Sequence, residues 1–162
     1  MADSPEKFAQ VFKAANTVVR PLLGSRLHPL LSGRLMLLEY TGAKTGRRHT
    51  FAVGYFTWDG GDVLAFSTGR WPAHLRSAPS VRLLIRGRWH DAVPTVISDQ
   101  NEKAGVLAEF ARRNGPRAAR GLMLGLPGDR QPDRAELLAA AVKTTVTRFA
   151  LTGPDDISPD DT

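Results

Sequence analysis

The chain has 162 residues, a net charge of +6 and no cysteine, which suits one domain with its own core and excludes disulfide scaffolds, thiolate metal sites and cysteine nucleophiles. Its opening Met1-Ala2-Asp3-Ser4-Pro5-Glu6-Lys7 carries no secretory pattern, and no apolar run nears the roughly 20 residues of a spanning helix, so a cytoplasmic protein is expected. The positive charge favours an anionic partner and does not choose among a phosphorylated ligand, a polycarboxylate, a membrane surface and nucleic acid.

Ser4 caps a helix with Pro5 at its first position and Glu6 near the positive end of the dipole. Phe8, Val11, Phe12, Ala15, Val18, Val19 and Leu22 recur at helical spacing, and Pro21 and Gly24 close the element. Its stripe is expected to cover an opening in a sheet, with peripheral membrane contact as the second reading. After the linker 28–33, residues 34–40 form a mostly apolar strand and residues 50–58 a second one rich in aromatic and β-branched side chains. Gly54 inside the latter signals a bulge or a close approach. Asp59-Gly60-Gly61-Asp62 is a hairpin turn leading into a strand over 63–67.

The alternation breaks over 68–79, where one helical turn is expected to open at Pro72. Strands at 81–86 and 89–97 face each other across Arg86-Gly87-Arg88, and Pro94 argues for an edge or a bulge because it lacks an N–H. Asp99 and Glu102 make a capping box for the next helix, which Asn114-Gly115-Pro116 stops. A short helix over 117–126, another capped by Asp133 and running through Ala141, and a last strand over 142–152 complete a domain spanning residues 1–153. The acidic, proline-bearing tail 154–162 is expected to be disordered. About six short strands in hairpins, with helices at the start and before the last strand, describe an α+β domain on an antiparallel sheet, and barrel closure is the economical protection for its edges.

Between the first two strands lies Thr41-Gly42-Ala43-Lys44-Thr45-Gly46-Arg47-Arg48-His49-Thr50. Its glycines allow successive N–H groups to turn toward one point, and Lys44, Arg47 and Arg48 add full charges, so the loop suits a phosphate. It is not a Walker loop, because the second glycine comes one residue early and Arg47-Arg48 follows it. The same residues also read as a solvated basic hairpin.

Residues 34–50, followed by the Asp-Gly-Gly turn and then by Trp71 and its neighbours, resemble the deazaflavin-dependent nitroreductase family, over roughly residues 33–97. The family pattern is T-G-R-K-[ST]-G-x-x-R-x-x-P; Thr41, Gly42, Lys44, Thr45 and Gly46 match it, whereas Ala43 and His49 stand where arginines are usual and Ala52 where proline is usual. The resemblance implies an antiparallel split β-barrel that takes coenzyme F-420, with FMN as the alternative and haem behind it. It implies that Lys44, Thr45, Gly46, Arg47, Arg48, His49 and Thr50 hold the coenzyme phosphate, and that the backbone of Ser67, Thr68 and Gly69 lies along the ring. The implied reaction is hydride transfer to a small hydrophobic acceptor such as a quinone, nitroaromatic or activated alkene, and members of this barrel class often dimerise.

Tyr55, Trp71 and His74 are candidate pocket residues, with ordinary core or helix-turn roles as the competing reading. The four histidines lack metal-ligand spacing, so no metal is expected. Ser67 lies in no nucleophile elbow. A carrier of the deazaflavin or of a lipid-like ligand is the second function class. A nucleic-acid module, which would align Lys44, Arg47, Arg48, Arg82, Arg86 and Arg88 on one side, ranks last because few aromatics alternate with those cations.

Overall fold

The computed structural model describes residues 35–153. The first helix, the linker with His28 and the acidic tail therefore lie outside the described residues. Seven strands, β1 (Leu35–Thr41), β2 (Arg48–Gly54), β3 (Phe56–Thr57), β4 (Val63–Ser67), β5 (Val81–Ile85), β6 (Arg88–Ile97) and β7 (Thr145–Leu151), form one sheet in the order β2-β1-β5-β6-β7-β4-β3. Every pairing is antiparallel. The sheet curls until β2 approaches β4, yet those strands do not pair, so the barrel keeps an open seam. This is an antiparallel split β-barrel.

Strand alternation sorts the faces. Met36, Leu38 and Tyr40 of β1 point inward to Val53, Val63, Leu83, Ile85 and Phe149, while Leu37 of β1 and Leu84 of β5 meet on the outer face. Among the described residues four α-helices, α1 (Trp71–Leu75), α2 (Gln100–Asn114), α3 (Pro116–Gly121) and α4 (Arg134–Lys143), stand outside the strands. A second core lies among α2, α3 and α4, centred on fully buried Phe110, whose ring meets Phe56 and Phe66 edge-on at 4.6 and 5.2 Å. None of the helices among the described residues is long and apolar enough to cross a membrane.

Several local expectations need correction. Residues 50–58 are not one strand: β2 starts at Arg48, so Arg48 and His49 belong to the sheet, and it ends at Gly54, where the chain leaves β1 to pair with β4. The turn between β5 and β6 is Arg86-Gly87 alone, both at positive φ (49° and 79°), and Arg88 already pairs with Ile85. Pro94 sits in a central strand, but β5 stops pairing at Ala92, so Pro94 has a ladder partner only on the β7 side and needs no N–H on the other. Asp99 accepts from the Glu102 amide at 2.8 Å, whereas the full reciprocal capping box stands at Asp133 and Glu136, both bonds being 2.9 Å. The short helix spans Pro116–Gly121, shorter than expected, and Val142 and Lys143 extend α4 where a strand was expected. Unlike the strand residues beyond it, Val142 has no core to face and is exposed.

Candidate functional site

The basic loop occupies residues 42–47, with Thr41 paired to Arg48 at its base. The Gly42 amide donates to the Arg47 carbonyl at 2.8 Å and the Gly46 amide donates to the Gly42 carbonyl at 2.9 Å, so the loop closes on itself. The Arg47 amide also donates to Thr45 Oγ1 at 3.3 Å. Two glycines have structural reasons to be there. Gly46 lies at φ 64°, and a Cβ on Gly42 would come within 2.9 Å of Thr45 Oγ1.

This loop walls a cavity of about 390 Å³ against α1. Lys44, Thr45 and His49 line one side, and Ala73, His74 and Ser77 the other. Both imidazoles stack on Tyr40, His49 at 5.1 Å and His74 at 6.2 Å between centroids, with interplanar angles of 24° and 13°. Burial pushes the Tyr40 phenol above its ordinary value, so it stays neutral.

The three cations of the loop region do not act together. Arg48 points to the outer face of the sheet, where its Nε lies 3.9 Å from Glu39, which also meets Arg82 at 3.3 Å. Arg82 in turn lies over the Trp89 ring at 4.6 Å. Arg48 and Arg82 are thus partly neutralised away from the cavity. Among the described residues, Lys44 and Arg47 make no ion pair.

A second cavity, about 520 Å³, occupies the seam. Phe51, Val53 and Gly54 of β2 form one wall, and Phe66, the Ser67-Thr68-Gly69 segment and Trp71 form the other. The Gly69 amide donates to Ser67 Oγ at 3.0 Å, which fixes the turn out of β4. Behind it, Thr144 Oγ1 donates to the Ser67 carbonyl at 3.1 Å, and buried Lys103 of α2 donates to the Thr144 carbonyl at 2.9 Å. The segment expected to lie along a ring is therefore held from the helical side.

The two cavities adjoin. His49 and Phe51 are two apart on one strand, and Trp71 and His74 three apart on one helix, so each element gives an imidazole to one cavity and an aromatic ring to the other. Tyr40 meets Phe51 edge-on at 6.1 Å and Phe51 meets Trp71 at 5.6 Å, which makes the partition aromatic.

Of the expected site residues, Lys44, Thr45 and His49 line the clamp cavity, and Ser67, Thr68, Gly69 and Trp71 line the seam cavity. Gly46 and Arg47 shape the loop, and Thr50 pairs with Glu39 in the ladder. His74, expected beside an acceptor, lies with the clamp instead. Tyr55 lines neither cavity: it is 2% exposed in the barrel core, where burial raises its phenol against the lowering pull of Arg86. Sequence reasoning missed Tyr40, Phe51 and Ser77. The alternation of Met36, Leu38 and Tyr40 already pointed Tyr40 inward, but nothing local said which loop it would meet.

No curated protein is similar enough in sequence to match the chain. Among solved structures the chain is similar to HutZ, the heme storage protein from Vibrio cholerae, at 14% identity and a TM-score of 0.47, covering 85% of this chain and 89% of that one. It is also similar to a Clostridium acetobutylicum protein related to general stress protein 26 of B. subtilis (pyridoxinephosphate oxidase family), at 13% identity and a TM-score of 0.44, covering 81% and 84%. Against general stress protein 26 from Bacillus anthracis the values are 13% and 0.44, with 80% and 89% covered. The model of the F420H2-dependent quinone reductases matches residues 12–120, most of the barrel and both cavities, and the chain belongs to that family of F-420-using oxidoreductases.

Proposed function

We propose that this member binds reduced F-420 with the phosphate of its anionic arm in the clamp cavity and its deazaflavin ring in the seam cavity, and reduces a small flat acceptor of the quinone, nitroaromatic or activated-alkene type. One observation carries this reading: a cationic cavity and an apolar one share an aromatic partition, and the coenzyme joins a charged arm to a flat ring. The residues present fit that group. Lys44 offers a charge that no protein carboxylate among the described residues takes up, and Gly42 lets the Thr45 hydroxyl and the His49 ring close over the loop backbone beside it.

Phe51, Phe66 and Trp71 offer apolar walls that orient a ring and keep water from it. Bound there, the coenzyme supplies two electrons and a proton as hydride, and a quinone takes its second proton from solvent to leave as the quinol. No protein nucleophile is needed. The test titrates the purified protein with F-420, FMN and haem by fluorescence or absorbance, then mixes it with reduced F-420 and menadione and follows the return of deazaflavin absorbance. Tight F-420 binding with turnover is expected. Binding without turnover across a panel of acceptors would make the protein a carrier, and uptake of FMN or haem in place of F-420 would overturn the assignment of the two cavities.

A further inference from the structure

We propose that the clamp cavity is a proton-linked anion site, in which His49 and His74 take up protons as a phosphodiester enters and release them as it leaves. The inference rests on the cofactor reading above and adds to it a second, titratable source of charge. Its basis is composition and geometry. No acid is among the described residues lining the cavity, the two imidazoles reach it from different elements, and both stack on the same phenol.

The surrounding charges set the direction. Lys44 lines the cavity together with the histidines, while Arg70 and Arg76 stand at the two ends of α1 outside its lining, Arg76 tied to Ser98 at 3.0 Å. On β2, Arg48 points to the opposite face. The nearest strand carboxylate, Glu39, lies on that opposite face too, shared by Arg48 and Arg82. A bound anion beside the two imidazoles favours their protonated form. Imidazole is the side chain whose charge changes between about pH 5 and 8. Because binding and protonation are reciprocal, whatever stabilises the protonated rings in the complex also tightens the anion. Affinity should be greatest at the acid end of that range and fall as pH rises through it.

The experiment measures F-420 affinity from about pH 5 to pH 8 for the wild type and for His49→Gln with His74→Gln. The wild type should weaken by about tenfold or more across the range and the double variant by about threefold or less. Dimethyl phosphate, whose charge is constant over this range, separates titration of the protein from titration of the coenzyme ring. Imidazole proton resonances of the wild type, followed with and without dimethyl phosphate, should shift toward the protonated form at two histidines on binding. That readout does not depend on the variants folding. Strong F-420 binding that is flat with pH, or imidazole resonances that ignore the phosphodiester, would overturn the proton linkage while leaving the proposed function in place. Absence of F-420 binding at every pH would remove the reading on which the linkage rests, and the linkage with it.

Discussion

The two adjoining cavities are built in opposite ways. The clamp cavity is made by one exposed loop and one helical turn set over Tyr40, and of its described lining side chains Tyr40 alone belongs to the barrel core. The seam cavity exists because β2 and β4 approach without pairing, and its walls are the ends of core clusters: Phe51 and Trp71 pack on the barrel interior, and Phe66 packs on the helical core. Recognition of a charge needs only a few groups turned toward one point. Recognition of a flat ring needs an opening between layers, and the fold must leave that opening without losing its core.

That contrast can be broken most directly at Phe66. Its ring lines the seam and meets Phe56 and Phe110 edge-on, so Phe66→Ala should lower unfolding stability by about 2–4 kcal/mol and weaken F-420 binding together. Urea denaturation beside cofactor titration measures both. A variant of unchanged stability would show that the seam wall is independent of the core.

The clamp should behave differently. Lys44→Ala is expected to weaken F-420 binding by about 1.5–3 kcal/mol while leaving the thermal midpoint where it was. Arg48→Ala should cost binding less than about 1 kcal/mol, because that guanidinium is exposed and turned toward Glu39. Equal losses at the two positions, by calorimetric titration, would show that the outer-face arginine swings over to the ligand.

The smallest effect lies outside both cavities. Arg112 and Arg113 hold the Glu109 carboxyl down at about 2, and Arg130 does the same for Glu136, to about 2. A carboxyl lowered in the folded state contributes stability above its ordinary value of 4.5, and that contribution is lost as pH falls toward about 2. Both carboxylates are half-buried at the surface and remain open to solvent, so the contribution is screened and modest. The urea midpoint should decline slightly as pH drops below that ordinary value, and Arg113→Ala should flatten part of the decline without changing F-420 affinity. A pH-independent midpoint would show that the pairs do not persist in solution.

Much of this organisation was legible in local sequence. The Asp-Gly-Gly turn, the helical turn at Pro72, the Asp99 and Asp133 caps and the basic loop after a strand are decided by neighbours along the chain. Errors fell where two plausible local states competed. The run from Val142 could continue a helix or begin a strand, and the packing of α4 chose the helix. Pro94 could have marked an edge, and the early end of β5 made a central strand suffice.

By itself the sequence determined the charge of the loop, the glycines that let it close, and the alternation that turns Tyr40, Phe51 and Val53 to one face, because each depends on residues within a few positions. Only the tertiary structure decided that Arg48 turns away to Glu39, that His74 meets His49 over Tyr40, and that β2 and β4 leave a seam beside them. Those outcomes depend on how far a seven-stranded sheet curls before its ends meet, a sum of twist and packing over the whole barrel that no single stretch of sequence contains.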